Sequence, residues 1–293
     1  MSWRKIWSLL KETVAEWQKD KVDRMAAALA YYTLFSIAPL LVIAVAVAGA
    51  VFGEEAARGE VVAQIQGLLG KAGAEVVQTA LANTQNPENG NGIVPSIIST
   101  LALIFGASGV FIQLQDSLNA VWNVEESAKG GVKAVVRKRI FSFAMVITIG
   151  FILMVSLVVS AGLAAVSVFT NNMFPALESL WKLVNIGISL GVFTLLFALI
   201  YKYLPDIKIA WRDVFVGALF TSILFSIGKE LLGFYLGNGS FGSAYGAAGS
   251  VITVLAWIYY SVQIMLFGAE FTQVYTRRYG SHRSNRERLH HQE

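Results

Sequence analysis

This sequence predicts an all-α, polytopic membrane protein with six transmembrane helices and both termini in the cytoplasm. Three observations point there. Of the 293 residues, 55% are hydrophobic and 14% charged. Soluble domains carry about 25% charged residues, so lipid must be most of this chain's solvent. Six long apolar stretches separate seven polar segments, and the 23 Lys and Arg residues fall almost entirely on alternate ones. Those segments hold Arg4, Lys5, Lys11, Lys19, Lys21 and Arg24; Lys129, Lys133, Arg137, Lys138 and Arg139; Lys202, Lys208 and Arg212; and Arg277, Arg278, Arg283, Arg286 and Arg288. Of the remainder, Arg58, Lys71 and Lys182 lie on the intervening segments and Lys229 lies inside an apolar stretch. This is the positive-inside pattern of a multi-pass membrane protein with both ends in the cytoplasm.

The elements follow in order. Residues 1–276 read as one transmembrane domain and 277–293 as a basic cytoplasmic tail whose composition predicts disorder. Over residues 2–22, Trp3, Ile6, Trp7, Leu10, Val14 and Trp17 recur at helical spacing, while Lys5, Lys11 and Lys19 fall elsewhere on the wheel. That pattern fits an interfacial helix on the cytoplasmic leaflet, or equally a helix packed on the protein's own inner face. The first span is about Met25–Phe52, and Pro39 within it predicts a kink or break. Residues 54–92 form an outer loop with two short amphipathic helices, ended by the turn-rich run from Asn86 to Gly92. The second span is about Ile93–Leu118, and the third runs from after Arg139 to about Phe169. The fourth is about Leu183–Tyr201 and exits through Tyr203-Leu204-Pro205-Asp206. The fifth is about Val214–Leu236. A Gly-rich stretch, 237–250, is a plain outer loop or a re-entrant one, and the sixth span is about Val251–Tyr275.

Ionisable groups inside apolar spans are costly and therefore mark candidate function. Lys229 and Glu230 lie in the fifth span. Adjacent helical residues point about 100° apart, which argues against a simple pair. Lys229 is sixteen residues past Asp213, about 24 Å along the helix, so it approaches the outer leaflet. It is either a snorkelling lysine or a buried cation for an anionic headgroup. Glu270 lies near the inner end of the sixth span, with Arg24, Arg139 and Arg212 as partners at its depth. Asp116, Gln113 and Asn119 end the second span at that level, and Asp23 and Arg24 open the first. Together they form a ring at the inner mouth of the bundle, or a set of helix-end salt bridges. Tyr32, with Tyr31, Thr33 and Ser36, lies about three turns inside the first span. Gly49/Gly53, Gly187/Gly191 and Gly233/Gly237 are G-x-x-x-G pairs that permit close helix contact within or between subunits, and so a homo-oligomer.

Several classes of chemistry are missing from the sequence. There is no Cys, so disulfides, thiolate catalysis and thiolate metal sites are excluded. The three His are His282, His290 and His291, all in the tail. No catalytic residue, metal-ligand spacing or cofactor motif is evident, and the expectation is a protein that is not an enzyme. Topology accounts for the net charge of +4 without a nucleic-acid partner; the expected partners are membrane lipids.

The run from Ala26 to Leu41, the segment Leu118-Asn119-Ala120-Val121-Trp122-Asn123-Val124, Tyr203-Leu204-Pro205-Asp206 with Trp211-Arg212, and Gly268-Ala269-Glu270 resemble the YihY/BrkB family. The likeness covers roughly residues 1–276. It implies a six-span inner-membrane protein of the cell envelope. The ribonuclease name once attached to the family conflicts with the missing chemistry. The resulting expectation is a transporter or flippase-like protein for an anionic lipid or envelope precursor, using Lys229, Glu230, Glu270, Arg24, Asp116 and Tyr32. The alternatives are a cation/proton antiporter and a non-transporting envelope scaffold.

Overall fold

The computed structural model describes residues 3–53, 109–124, 178–238 and 248–280, with single positions between 55 and 78 and at 144 and 148. Five long helices are defined: α1 (Trp3–Lys19), α2 (Val22–Phe52), α3 (Glu178–Tyr203), α4 (Trp211–Asn238) and α5 (Ala248–Arg278). A further helical stretch covers 109–121. Within them, Leu183–Tyr203, Trp211–Phe234 and Val251–Arg278 are long and apolar enough to cross a membrane. These match the expected fourth, fifth and sixth spans. The expected first span lies within α2, and the helix continues through Pro39. The expected break is therefore absent: Pro39 removes one backbone donor, and the turns on either side carry the helix past it. Most of the third span, residues 93–108 of the second, the body of the outer loop and the tail from 281 lie outside the described residues. So does most of the Gly-rich stretch.

α5 is the organising element. α4, α2 and α1 all pack on it, and α3 packs on α4. The central core draws Val22, Ala26 and Leu29 from α2, Leu118 and Val121 from 109–121, Ala198 and Tyr201 from α3, Val214 and Ala218 from α4, and Leu266 and Ala269 from α5.

Between two apolar helices in lipid, close backbone approach replaces the hydrophobic drive. α4 and α5 achieve it antiparallel, through two reciprocal Gly–Thr contacts. A Cβ at Gly217 would overlap Thr272, with Thr272 Cβ only 2.7 Å away, and a Cβ at Gly268 would overlap Thr221. Both threonines donate to the carbonyl one turn earlier, Thr221 to Gly217 and Thr272 to Gly268, each at 2.7 Å. Their hydroxyls are thereby satisfied inside the contact. Tyr201 completes it: its hydroxyl donates to the Met265 carbonyl at 2.6 Å and lies 3.0 Å from Thr221 Oγ1. The glycines that sequence spacing singled out behave differently. A Cβ at Gly53, Gly187, Gly191 or Gly233 would meet nothing within 4 Å, and Gly53 instead caps α2 with φ 87°.

Candidate functional site

The polar groups converge at one end of the bundle, where α1, the close of 109–121, the α3–α4 connection and the last turns of α5 meet. The 109–121 stretch ends in a Schellman turn. Asn123 takes the left-handed conformation at φ 52°, with its N–H bonded to Ala120 O and the Val124 N–H to Asn119 O, both 2.9 Å. This ending presents Asn119 and Gln115 to the connection after α3. Asp206 accepts from Asn119 Nδ2 at 2.9 Å and from Gln115 Nε2 at 3.2 Å, while its own backbone N–H donates to Asn119 Oδ1 at 2.8 Å. Lys202 donates to the Ile209 carbonyl and lies over the Trp211 ring, 5.6 Å from its centroid. Two of the segments that carry the family resemblance are thus one clamp.

α1 docks across the end of α5. Leu9 is buried against Phe271 and Val274. Arg277 bonds Glu12 and Glu16, the latter at 2.9 Å, and Arg278 bonds Glu12 and, at 2.9 Å, Ser8 Oγ. Lys19 also bonds Glu16, at 2.8 Å. The Glu16 carboxyl is held below its ordinary value, first by the hydrogen bond from Lys19 and further by Arg277, against an opposing cost of burial. The helix is therefore packed on the protein itself, against the end of α5. A second apolar stripe stays exposed, with Ile6, Trp7 (55% exposed) and Val14 on it. Lys11 lies over the Trp7 ring at 5.8 Å.

α1 and α2 meet at a tight joint. Lys21 sits between the two helices in the left-handed region at φ 54°, ψ 46°. Asp20 is half-buried and its carboxyl lies beside that of Glu270 of α5. Glu270 is 0% exposed, and neither of its oxygens has a hydrogen-bond donor among the described residues. Asp20 Oδ2 is likewise buried without a donor, and so is Gln273 Oε1, one turn along α5. Burial pushes the Asp20 carboxyl above its ordinary value, with Lys19 opposing. Two carboxylates bring acceptors and no donor, so a contact between them needs a proton or another cation.

The structure brings only part of the expected ring together. Glu270 meets Asp20 rather than an arginine; Arg24, Asp23 and Arg212 are on the exposed surface, and Arg139 lies outside the described residues. Asp116 is half-buried on 109–121. Tyr32 is 43% exposed and stacks edge-on to Tyr31 at 6.0 Å. At the other end of α4, Lys229 Nζ is 3.4 Å from Glu230 Oε1. The expectation that these two do not pair is corrected: both side chains are long enough to curl across the 100° between them. Sequence reasoning missed Asp20, which sits in a run of charges (Lys19, Asp20, Lys21, Asp23, Arg24) where nothing marks one as buried.

Long apolar helices around a buried polar end define an integral membrane protein. Residues 13–292 match the family described as virulence factor BrkB, and the chain belongs to that family. It is 30% identical over 261 residues to a UPF0761 membrane protein of Alteromonas mediterranea, covering 87% of this chain and 83% of that one. A UPF0761 membrane protein of Psychrobacter is 25% identical over 272 residues, 92% of this chain but 48% of that one, so this chain spans about half of that relative. YfkH of Bacillus subtilis, named as a ribonuclease-like protein, is 24% identical over 275 residues, 92% of this chain and 96% of that one. No solved structure matches the chain.

Proposed function

We propose that this protein is a non-enzymatic secondary transporter of the bacterial inner membrane, with six spans and both termini in the cytoplasm, and that Glu270 is its proton- or cation-carrying group. The observation that carries this reading is a carboxyl with no exposure and, among the described residues, no donor, placed inside a helix long and apolar enough to cross a membrane. An ionisable group held that way is costly for stability, and a static salt bridge does not account for it. The test is flux in liposomes under an imposed pH gradient. Wild-type protein is expected to move Na⁺ or K⁺ in a pH-dependent way and Glu270→Gln to abolish it, with both proteins folded. Equal flux from the two would sink the reading.

The lipid-moving alternative rests on Lys229, a half-buried cation within the apolar helix α4. Glu230 at 3.4 Å offsets its charge, which leaves less positive field for a phosphate headgroup and puts this reading second. It predicts lipid scrambling that Lys229→Met slows.

A further inference from the structure

We propose that Asp20 is the proton relay of this site: it and Glu270 hold one proton between them, and Asp20 passes it between the inner aqueous phase and Glu270. The proposal rests on the reading of Glu270 as a carrier and adds the route by which that carrier is loaded.

The geometry has four parts. Glu270 is sealed from solvent, whereas Asp20 is half-buried, with one carboxylate oxygen inside and the residue partly open to water. The two carboxyls lie beside one another, close enough to share a proton. The pair therefore spans the boundary that a proton must cross. Gln273, one turn from Glu270 on α5, is 9% exposed, and its Oε1 has no donor among the described residues, so this helix carries a further buried acceptor close by. Finally, Asp20 is held by a two-residue joint in which Lys21 is forced into the left-handed conformation. A non-glycine residue there is strained, and the docking of α1 has to offset that strain.

The charges around the pair come from every packed element. α1 contributes Glu16 and Lys19, which are bonded to each other. On α2, Asp23 and Arg24 face solvent. On α4, Asp213 is buried against Gly280, at the far end of α5's last turns. Arg277 of α5 is committed to Glu12 and Glu16, and Asp116 sits on 109–121. Among the described residues the charged partner in contact with Glu270 is thus another acid. In the transfer, a proton from water binds Asp20; the Asp20 O–H then breaks as the Glu270 O–H forms, leaving Asp20 an anion ready to be reloaded.

The experiment uses infrared difference titration of the detergent-purified full chain, alongside the liposome flux. Wild type is expected to show a protonated-carboxyl band that Glu270→Gln removes. Asp20→Asn should shift both the band and its titration midpoint. It should also slow proton exchange roughly 100-fold, the lower end of what a positioned proton-transfer group contributes. Formate in the buffer should restore exchange to Asp20→Asn and not to Glu270→Gln, a rescue that a merely structural role would not allow. Asp20→Ser serves the same comparison if Asp20→Asn fails to fold. An unchanged band and wild-type exchange in the Asp20 variants overturn the relay and leave the Glu270 carrier standing. Wild-type flux in Glu270→Gln overturns the carrier itself.

Discussion

Asp206 shows how much a single side chain can do at the end of a bundle. Its carboxylate and backbone N–H tie the turn after α3 to Gln115 and Asn119, which lie 91 and 87 residues earlier. Hydrogen bonds to a charged group contribute about 1.5–3 kcal/mol, so Asp206→Ala should destabilise the protein by about 2 kcal/mol, read as a lowered Tm in detergent. Asn119→Ala combined with Asp206→Ala should cost much less than the two single losses added, because they remove the same bonds. Both residues were visible as motif members in the sequence. Their pairing was not, because nothing in either segment specifies the other. Glu270 was legible for a simpler reason: an acid in an apolar run stands out, while Asp20 among five charges does not.

At the scale of the element, α1 is the informative case. Its docking depends on two carboxyls whose titrations run in opposite senses. Glu16 is held below its ordinary value, so its contribution is present above the ordinary carboxylate range and is lost as pH falls through its lowered value. Asp20 is pushed above its ordinary value, so its contribution is present below the ordinary value and is lost as pH rises through the raised one. Protection of the α1 amides, corrected for intrinsic exchange rates, should therefore peak in mildly acidic solution and fall on both sides. Asp20→Asn should abolish the alkaline fall and keep the acid one. A monotonic profile in the wild type would contradict this account. The sequence allowed α1 to face either protein or lipid. In the structure a single helix carries both faces, since Leu9 and Thr13 lie on a different side from Trp7 and Val14.

For the whole molecule, the sequence revealed where helices run and not how they face. Long apolar runs bounded by charges located α3, α4 and α5 to within a few residues. These helices are apolar on every side, so periodicity could not tell a core face from a lipid face. The contacts that join α4 to α5 consequently use Gly217 and Gly268 against threonines, a pattern that a search for paired glycines passes over. The proposed topology has a direct check, because the chain has no Cys. A single cysteine at Glu230 should react with an impermeant maleimide in intact cells, and one at Lys19 only after lysis. Labelling of both from outside would overturn the assignment of sides.

The latch between α1 and α5 joins residues 265 apart in the chain, Arg277 and Glu12. During synthesis α1 emerges first and its partner helix among the last. At about 5–20 residues per second the delay is on the order of tens of seconds. Through that interval Leu9 and Thr13 have no protein to cover them, and the arginines that will hold Glu12 and Glu16 do not yet exist. The stripe of Ile6, Trp7 and Val14 needs none of these. It gives a nascent α1 a place on the bilayer surface, where the helix can wait until α5 arrives to claim its other side.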